Sequence, residues 1–277
     1  MDQMPISVII VAKNAQGTID ECLNSVTKNS PAEIIVVDGV SSDGTIFIAK
    51  RYTERIYSDE GKGLNYARQL GAEQATQEFI AYVDSDVILT EGALATMLAA
   101  FRNSDCISIS AHEAADMKCS SYWEWAQYQH YQFHRLQNHI SMLASLFRRD
   151  TILKYGFYLS TRGLDNRMDD IDLEIRLRRD GYKFGRSSAF YYHRYKSDLR
   201  SFVKYRFFLG RVSACYIRKY GPWHVGFWPP LTRLYWLFFF LITGKPKLIP
   251  YIVVDGFAET AGLIKGLFEL VAHKGKK

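Results

Sequence analysis

The feature that most constrains this chain is a recurrence in its first half: short apolar runs rich in β-branched residues, each followed by a stretch with helical signals. Ile6–Ala12, Glu33–Asp38 (EIIVVD) and Phe79–Asp84 (FIAYVD) lack the polar alternation of a half-exposed strand and have the pattern of strands covered on both faces. Between them, Thr18-Ile-Asp-Glu21 has the spacing of a capping box and predicts a helix to about Thr27. Ser42-Asp43-Gly44 starts a second helix, Arg55–Tyr57 a short strand and Gly63–Thr76 a third helix. Strand and helix alternate, which predicts an α/β fold with a mainly parallel, doubly wound sheet and helices on both faces. Further on the pattern changes to a run at Cys106–Ala111, an aromatic segment Tyr122–Phe133, a strand-like Met142–Phe147, a helix at Asp169–Asp180 and an extended Ala189–His193. With 277 residues and 48% hydrophobic content, the chain can bury one large core and carry an appendage.

In open α/β sheets ligands collect outside the carboxyl ends of the strands, and two of these runs end in acids, Asp38 and Asp84. Asp84-Ser85-Asp86 offers hard oxygen donors to a divalent cation, or caps a turn. A second Asp-x-Asp stands at 170–172, but only the first ends a central-looking strand. Asp38 is placed to accept hydrogen bonds from a nucleobase or ribose, or to cap its own loop. Lys62-Gly63-Leu64-Asn65-Tyr66-Ala67-Arg68 puts cations at a helix start, where a diphosphate is attracted; a solvated helix face is the alternative. Asp169, Asp170 and Asp172 suit a helix N-terminus through the macrodipole alone, or one of them, crowded by like charge, serves as a base. His193 follows an aromatic strand and is either structural or directed at a metal or phosphate. His130 and His134, four apart without an acidic partner in register, read as surface or groove residues. Trp123 and Trp125 stack on sugar rings or pack the second lobe.

Taken in order, the Asp that ends the second strand, Lys62 to Arg68, Asp84-Ser85-Asp86, Asp169-Asp170 and His193 resemble the family 2 inverting glycosyltransferases with the GT-A fold, over about residues 5–210. The resemblance implies a nucleotide-diphosphate sugar, UDP- or GDP-linked, as donor. It implies that Ala12, Lys13, Asn14 and Asp38 hold the nucleoside, with Lys62, Asn65, Arg68, Asp84 and Ser85 on the donor side. Asp84, Asp86 and His193 are then the ligands of Mn2+ or Mg2+, and Asp170 the general base, with Asp169, Asp172, Trp123 and Trp125 on the acceptor side. Asp169 stands where the family's Glu-Asp-x-Asp-Leu-x-x-Arg pattern has Glu. Asp38-Gly39-Val40-Ser41 departs from the family's Asp-Asp or Asp-Asn followed by Gly-Ser. No Gln-x-x-Arg-Trp occurs, which predicts addition of one sugar per encounter. A base argues for a hydroxyl acceptor on a glycan or lipid-linked sugar, because polyprenyl phosphate, the second choice, is already ionised. A nucleotidylyltransferase calls for a Gly-rich loop after the first strand, and residues 12–17 are poor in Gly. A non-catalytic nucleotide-sugar or lipid-binding module stays open, and metal-dependent hydrolysis of a nucleotide sugar discriminates it.

The basic character is confined to the end of the chain. Residues 190–277 carry 15 Lys and Arg against 4 acids, whereas residues 1–189 carry 20 against 25. Residues 198–220 read as a basic amphipathic helix, Leu231–Thr243 as a densely apolar helix too short to span a bilayer, and Leu248–Ala272 as a longer one interrupted by Asp255, Glu259, Lys265 and Glu269. With Lys245, Lys247 and Lys274 to Lys277 beside them, the expectation is a monotopic hairpin on anionic head groups; a cover packed on the catalytic domain or a homo-oligomer contact is the alternative. The aromatic runs argue against nucleic acid. The expected domains are 1–220 (nucleotide-sugar half 1–111, acceptor half 112–220) and 221–277 for the hairpin. Four cysteines without Cys-x-x-Cys spacing and an N-terminus without a secretory pattern predict the cytoplasmic face of a membrane.

Overall fold

The computed structural model describes residues 4–114, 118–134, 140–157, 169–221 and 229–274. The first strands form where the apolar runs predict them: β1 (Met4–Ala12), β2 (Pro31–Asp38), β3 (Ile56–Ser58) and β4 (Phe79–Val83). Their continuous hydrophobicity has a direct cause. Along β1, Val8 and Ile10 point into one apolar cluster and Ile9 into another on the opposite face, so the strand is buried on both faces from Ile6 to Ile10. Helix α1 (Ile19–Lys28) closes the first face with Ile19, Cys22, Leu23 and Val26, the i, i+3, i+4, i+7 spacing of one stripe. Helices α2 (Thr45–Ala49) and α3 (Leu64–Gln74) follow as expected. The capping box does not form. Thr18 makes no side-chain cap, and Glu21 instead forms a double hydrogen bond with Arg194.

Three elements carry no sequence expectation above: β5 (Val87–Leu89), α4 (Ala93–Arg102) and α6 (Arg149–Tyr155). The others are β6 (Ser108–Glu113), α5 (Tyr122–His134), β7 (Ala144–Arg148), α7 (Asp169–Arg179), β8 (Phe184–His193), α8 (Leu199–Tyr220), α9 (Pro229–Ile242) and α10 (Ile249–Lys274). The sheet order is β3-β2-β1-β4-β7-β6-β8-β5. The mainly parallel expectation holds: β1 to β4 pair in parallel and β6 with β8, while β7 enters antiparallel to both β4 and β6, and β5 antiparallel to β8, which makes the sheet mixed.

The chain forms two compact units. One holds all eight strands with α1 to α4, α6 and α7; the other holds α5, α8, α9 and α10. The expected boundary after residue 220 therefore falls inside the second unit. Its cause is packing between α8 and α10 so close that a Cβ on Gly210 or Gly262 would run into the backbone of the other helix, which ties residues 199–220 to the C-terminal helices. A separate apolar cluster built on Phe202, Phe240, Leu248, Tyr251 and Ile252 fills this unit.

Candidate active site

Strand direction collects the acidic strand ends at one edge. β1, β2, β3 and β4 run in parallel, and β7, antiparallel to β4, returns β6 and β8 to the same direction. Ala12, Asp38, Asp84, Glu113 and His193 consequently all stand at the carboxyl edge. Ala12 pairs with Asp38 in register, and Asp84 follows the strand on the other side of β1. Two strand spacings, about 10 Å, separate the Asp38 and Asp84 positions.

The position of β5 shows how His193 reaches the aspartates. Only Asp84, Ser85 and Asp86 separate β4 from β5's first residue, Val87, and that segment spans at most about 14 Å. A flat sheet in the observed order would put β4 and β5 about 19 Å apart. The register of β8 against β6 shifts between Ser110 and His112, a bulge that bends a strand. With this bend the end of β8 returns to β4: Val87 pairs with His193, the Arg194 amide donates to the Asp86 carbonyl, and His193 Nε2 lies 3.5 Å from Asp86 Oδ1.

The charges at this edge are unequal. Arg68, buried on α3, places Nη2 3.1 Å from Asp84 Oδ1, and its carbonyl accepts from the Tyr82 hydroxyl. Asp84 and Asp86 keep 30% and 25% of their side-chain surface open. Burial pushes the Asp84 carboxyl above its ordinary pKa, with Asp86 adding to the push and Arg68 opposing it. Burial disfavours the His193 imidazolium, yet Asp86, Glu113 and Asp84 outweigh it and hold the imidazole above its ordinary pKa. Glu113 had no place in the sequence reading, although the rule that singled out Asp38 and Asp84, an acid ending a buried strand, applies to it equally.

The loop after β1 is laced to the loop after β2. The Asn14 amide donates to Ser41 Oγ, Asn14 Oδ1 accepts from the Ser42 amide, and Asp38 Oδ2 accepts from the Ser41 amide. Asp38 is buried, and its Oδ1 accepts no hydrogen bond in the described protein, leaving an acceptor at the edge. Val40 projects from this loop, 56% exposed, with φ +60, a conformation costly for a β-branched residue. Lys13 is exposed beside Gly39. Lys62 is also exposed, bound to Glu60 and lying over the Tyr66 ring, whereas Asn65, the second residue of α3, is buried. Ser85 is half-buried between the two aspartates.

Asp170 stands in the first turn of α7 and accepts from the Ile171 amide. Helix α7 leads into the start of β8. Glu174, one turn along, accepts from the Ile140 amide, four residues before β7 begins opposite Val83. Asp172 departs from its acceptor-side expectation. It is 1% exposed and bound to Arg176 at 3.0 Å, while Arg176 also donates to the carbonyls of Tyr155 and Gly156; it stands on α7 next to the buried Leu173. The Asp169 and His134 side chains lie outside the described residues. Trp123 and Trp125 belong to the second unit and pack against its core, Trp123 stacked on Phe202 with centroids 5.3 Å apart. His130 is buried there beside Tyr251, with Nδ1 2.9 Å from the hydroxyl, not on a surface or groove.

Among the described residues no group of three or more His, Cys, Asp or Glu side chains is arranged to hold a metal ion by itself. The two aspartates nevertheless fit a hard divalent cation. Mg2+ and its analogues take one or two carboxylates from protein and complete the shell with substrate phosphates and water, and Asp84 and Asp86 offer two partly accessible carboxylates, with His193 against Asp86.

The pattern of the family described as "Glycosyl transferase family 2" matches residues 7–152. The glycosyltransferase AglE of Haloferax volcanii is 37% identical over 91 residues, 29% of this chain and 30% of that protein. An Escherichia coli protein, the UDP-Glc:alpha-D-GlcNAc-diphosphoundecaprenol beta-1,3-glucosyltransferase WfgD, is 34% identical over 94 residues, 32% of this chain and 37% of its own length. These matches thus span only 30% and 37% of the two relatives. Among solved structures, the mannosyltransferase PcManGT of Pyrobaculum calidifontis in complex with GDP-Man and Mn2+ superposes with a TM-score of 0.60 at 16% identity, over 100% of this chain and 76% of that one, a likeness of fold.

Proposed function

Because the chain belongs to glycosyl transferase family 2, we propose that it is an inverting glycosyltransferase that moves one sugar from a UDP- or GDP-linked donor to a hydroxyl of a glycan or lipid-linked acceptor, at the cytoplasmic face of a membrane. The observation that carries this reading is the gathering of Asp38, Arg68, Asp84, Asp86 and His193 at one sheet edge. The activities of WfgD and PcManGT support the donor class, and that of WfgD a lipid-linked acceptor.

Asp38 Oδ1, with Ala12, Lys13 and Asn14, receives the nucleoside. Arg68 and Asn65, with Lys62 at the helix start, draw the diphosphate, and the desolvated guanidinium of Arg68 opposes the charge that grows on it as the sugar departs. Asp84, Asp86 and His193 would hold Mn2+ or Mg2+, which when bound supplies Lewis-acid stabilisation of the diphosphate leaving group. Asp170, with Asp169 beside it on the acceptor side, takes the proton of the acceptor hydroxyl. The hydroxyl oxygen bonds to the anomeric carbon, and the bond from that carbon to the diphosphate oxygen breaks with its electron pair on the diphosphate.

A thermal-shift series with UDP, GDP, ADP and CDP, with and without Mn2+, identifies the base, since a ligand that binds only the folded state raises Tm. No shift with any nucleotide would sink the proposal. Asp170→Asn is expected to leave donor binding intact and to lower turnover by roughly 10²- to 10⁴-fold. Unchanged turnover on a hydroxyl acceptor removes Asp170 from this role. An acceptor that is already ionised, such as polyprenyl phosphate, gives the variant no penalty, so activity of Asp170→Asn on that acceptor alone identifies the second reading.

A further inference from the structure

Among the described residues, no helix is long and apolar enough to cross a membrane, and the charges inside α10 are the reason it fails. The structure shows where those charges go. Asp255 and Glu259 face Arg206 of α8 and Arg233 of α9 in a closed set of four ion pairs, and Glu269 is bound to Arg211 at 2.5 Å. All three acids of α10 are turned into the helical unit. Its outward face is left with Phe257 (77% exposed), Ile264 and Phe268 (71% exposed), at i, i+7 and i+11, one stripe of a helix. Helix α9 exposes Leu234, Phe238 and Ile242 at i, i+4 and i+8 in the same manner. Of the 18 large hydrophobic side chains exposed in the described protein, 12 lie between Leu231 and Val271, which makes this a concentration and not the scatter normal for a surface.

The charge that remains exposed beside these stripes is of one sign. Lys245 and Lys247 stand in the exposed turn between α9 and α10, and Lys265 lies on α10 over the Phe207 ring. No acidic residue is exposed from 231 to 272. An apolar helix face edged only by lysine matches the chemistry of an anionic bilayer surface, where acyl chains receive the rings and head groups receive the ammonium groups. A second copy of this chain would bring the same lysines against one another, with no exposed acid on this face to answer them.

We infer that the outward faces of α9 and α10, with Lys245, Lys247 and Lys265, form a monotopic docking surface for anionic lipid, on which the helices lie in the interface without crossing it. The inference deepens the membrane location proposed above and rests on it. It assigns a role to the internal ion pairs as well: they remove from the outward face the acids that would repel such a surface.

The test is co-sedimentation of the full chain with vesicles of phosphatidylcholine alone and of phosphatidylcholine mixed equally with phosphatidylglycerol. The wild type is expected to bind the mixed vesicles and to bind them less in high salt. Phe257→Asp with Phe268→Asp is expected to lower the partition coefficient by more than about tenfold, and Lys245→Glu with Lys247→Glu by roughly fivefold per lysine. Tm and the nucleotide-induced shift serve as controls, and both should be unchanged, since these side chains face outward. Vesicle binding that survives both variants overturns the docking face and leaves the membrane location standing. No binding by the wild type overturns both, while the nucleotide series continues to judge the transferase reading separately. A dimer that phenylalanine substitution dissociates, in a chain that ignores vesicles, overturns the inference in favour of a second copy.

Discussion

The molecule buries charge in two places, and they are built on opposite rules. In the helical unit Arg206, Arg233, Asp255 and Glu259 stand two against two, with side chains no more than 16% exposed. At the sheet edge three carboxylates, Asp84, Asp86 and Glu113, face Arg68 and a histidine whose charge depends on pH, and the two aspartates are about a quarter open. The first set satisfies itself. The second retains negative charge and access, the two properties that a cation or a cationic ligand shell requires. What separates a structural cluster from a site here is the opening that keeps Asp84 and Asp86 accessible, not burial or the number of acids.

Breaking each cluster should therefore give opposite results. Asp255→Ala leaves two desolvated guanidinium groups facing one carboxylate, and a loss of about 3–5 kcal/mol of stability is expected, read as a lowered urea midpoint. Asp86→Asn removes one of several crowded like charges and is expected to change stability by less than about 1 kcal/mol while abolishing the Mn2+-dependent part of the nucleotide-induced rise in Tm. A large stability loss for Asp86→Asn, or a small one for Asp255→Ala, would erase the distinction.

Asp172 sharpens the same contrast inside the catalytic unit. Its carboxylate fixes Arg176, which holds the carbonyls of Tyr155 and Gly156 and so anchors the helix that carries Asp170. Asp172→Asn is expected to cost roughly 1–3 kcal/mol of stability and to lower kcat with little change in the KM for the donor. A variant with normal stability and a raised acceptor KM would instead return Asp172 to the acceptor side.

The division between legible and illegible features has a physical basis. Strands β1, β2 and β4 were readable because both faces are covered, so hydrophobicity is continuous and the terminating acids stand out. The positions of Asp38 and Asp84 at strand ends were readable for that reason. The approach of His193 to Asp86 was accessible only through family resemblance, because it depends on the β8 bulge and on the pairing of a three-residue strand, β5, that leaves almost no local signal. Thr18 to Glu21 has the capping-box spacing, yet Glu21 is taken by Arg194, 173 positions away. Asp172 and Asp170 look alike in sequence; the face of α7 on which each stands separates them. In α10 the sequence shows charges that interrupt an apolar run, and only the tertiary partners show that they point inward.

The sheet edge should also respond to pH. His193 is held above its ordinary pKa by Asp86, Glu113 and Asp84 against the effect of burial, and Asp84 is itself raised by burial and Asp86. Both groups bind their protons more tightly folded than unfolded, so the stability they contribute is present below the unfolded pKa and is lost as pH rises through the folded one. For His193 that loss begins at the ordinary imidazole range and extends above it. In metal-free buffer with chelator, the urea midpoint is expected to fall modestly from pH 6 to pH 8, and His193→Gln should flatten that slope. A slope unaffected by His193→Gln would mean that the carboxylates do not reach the imidazole.

The smallest effect expected lies in the nucleoside loop. Val40 holds φ +60 with its side chain largely in solvent, so it suffers the left-handed penalty of about 1–2 kcal/mol without burying apolar surface in return. Glycine relieves that penalty but adds unfolded-state entropy of about 0.5–1 kcal/mol, and Val40→Gly is expected to stabilise the chain by roughly 0.5 kcal/mol. The more informative reading is nucleotide affinity. If the exposed isopropyl group forms one wall for the base, Val40→Gly weakens UDP or GDP binding severalfold while raising Tm, and stability and binding move in opposite directions. Affinity that is unchanged or improved would show that the strain at Val40 has no part in holding the nucleoside.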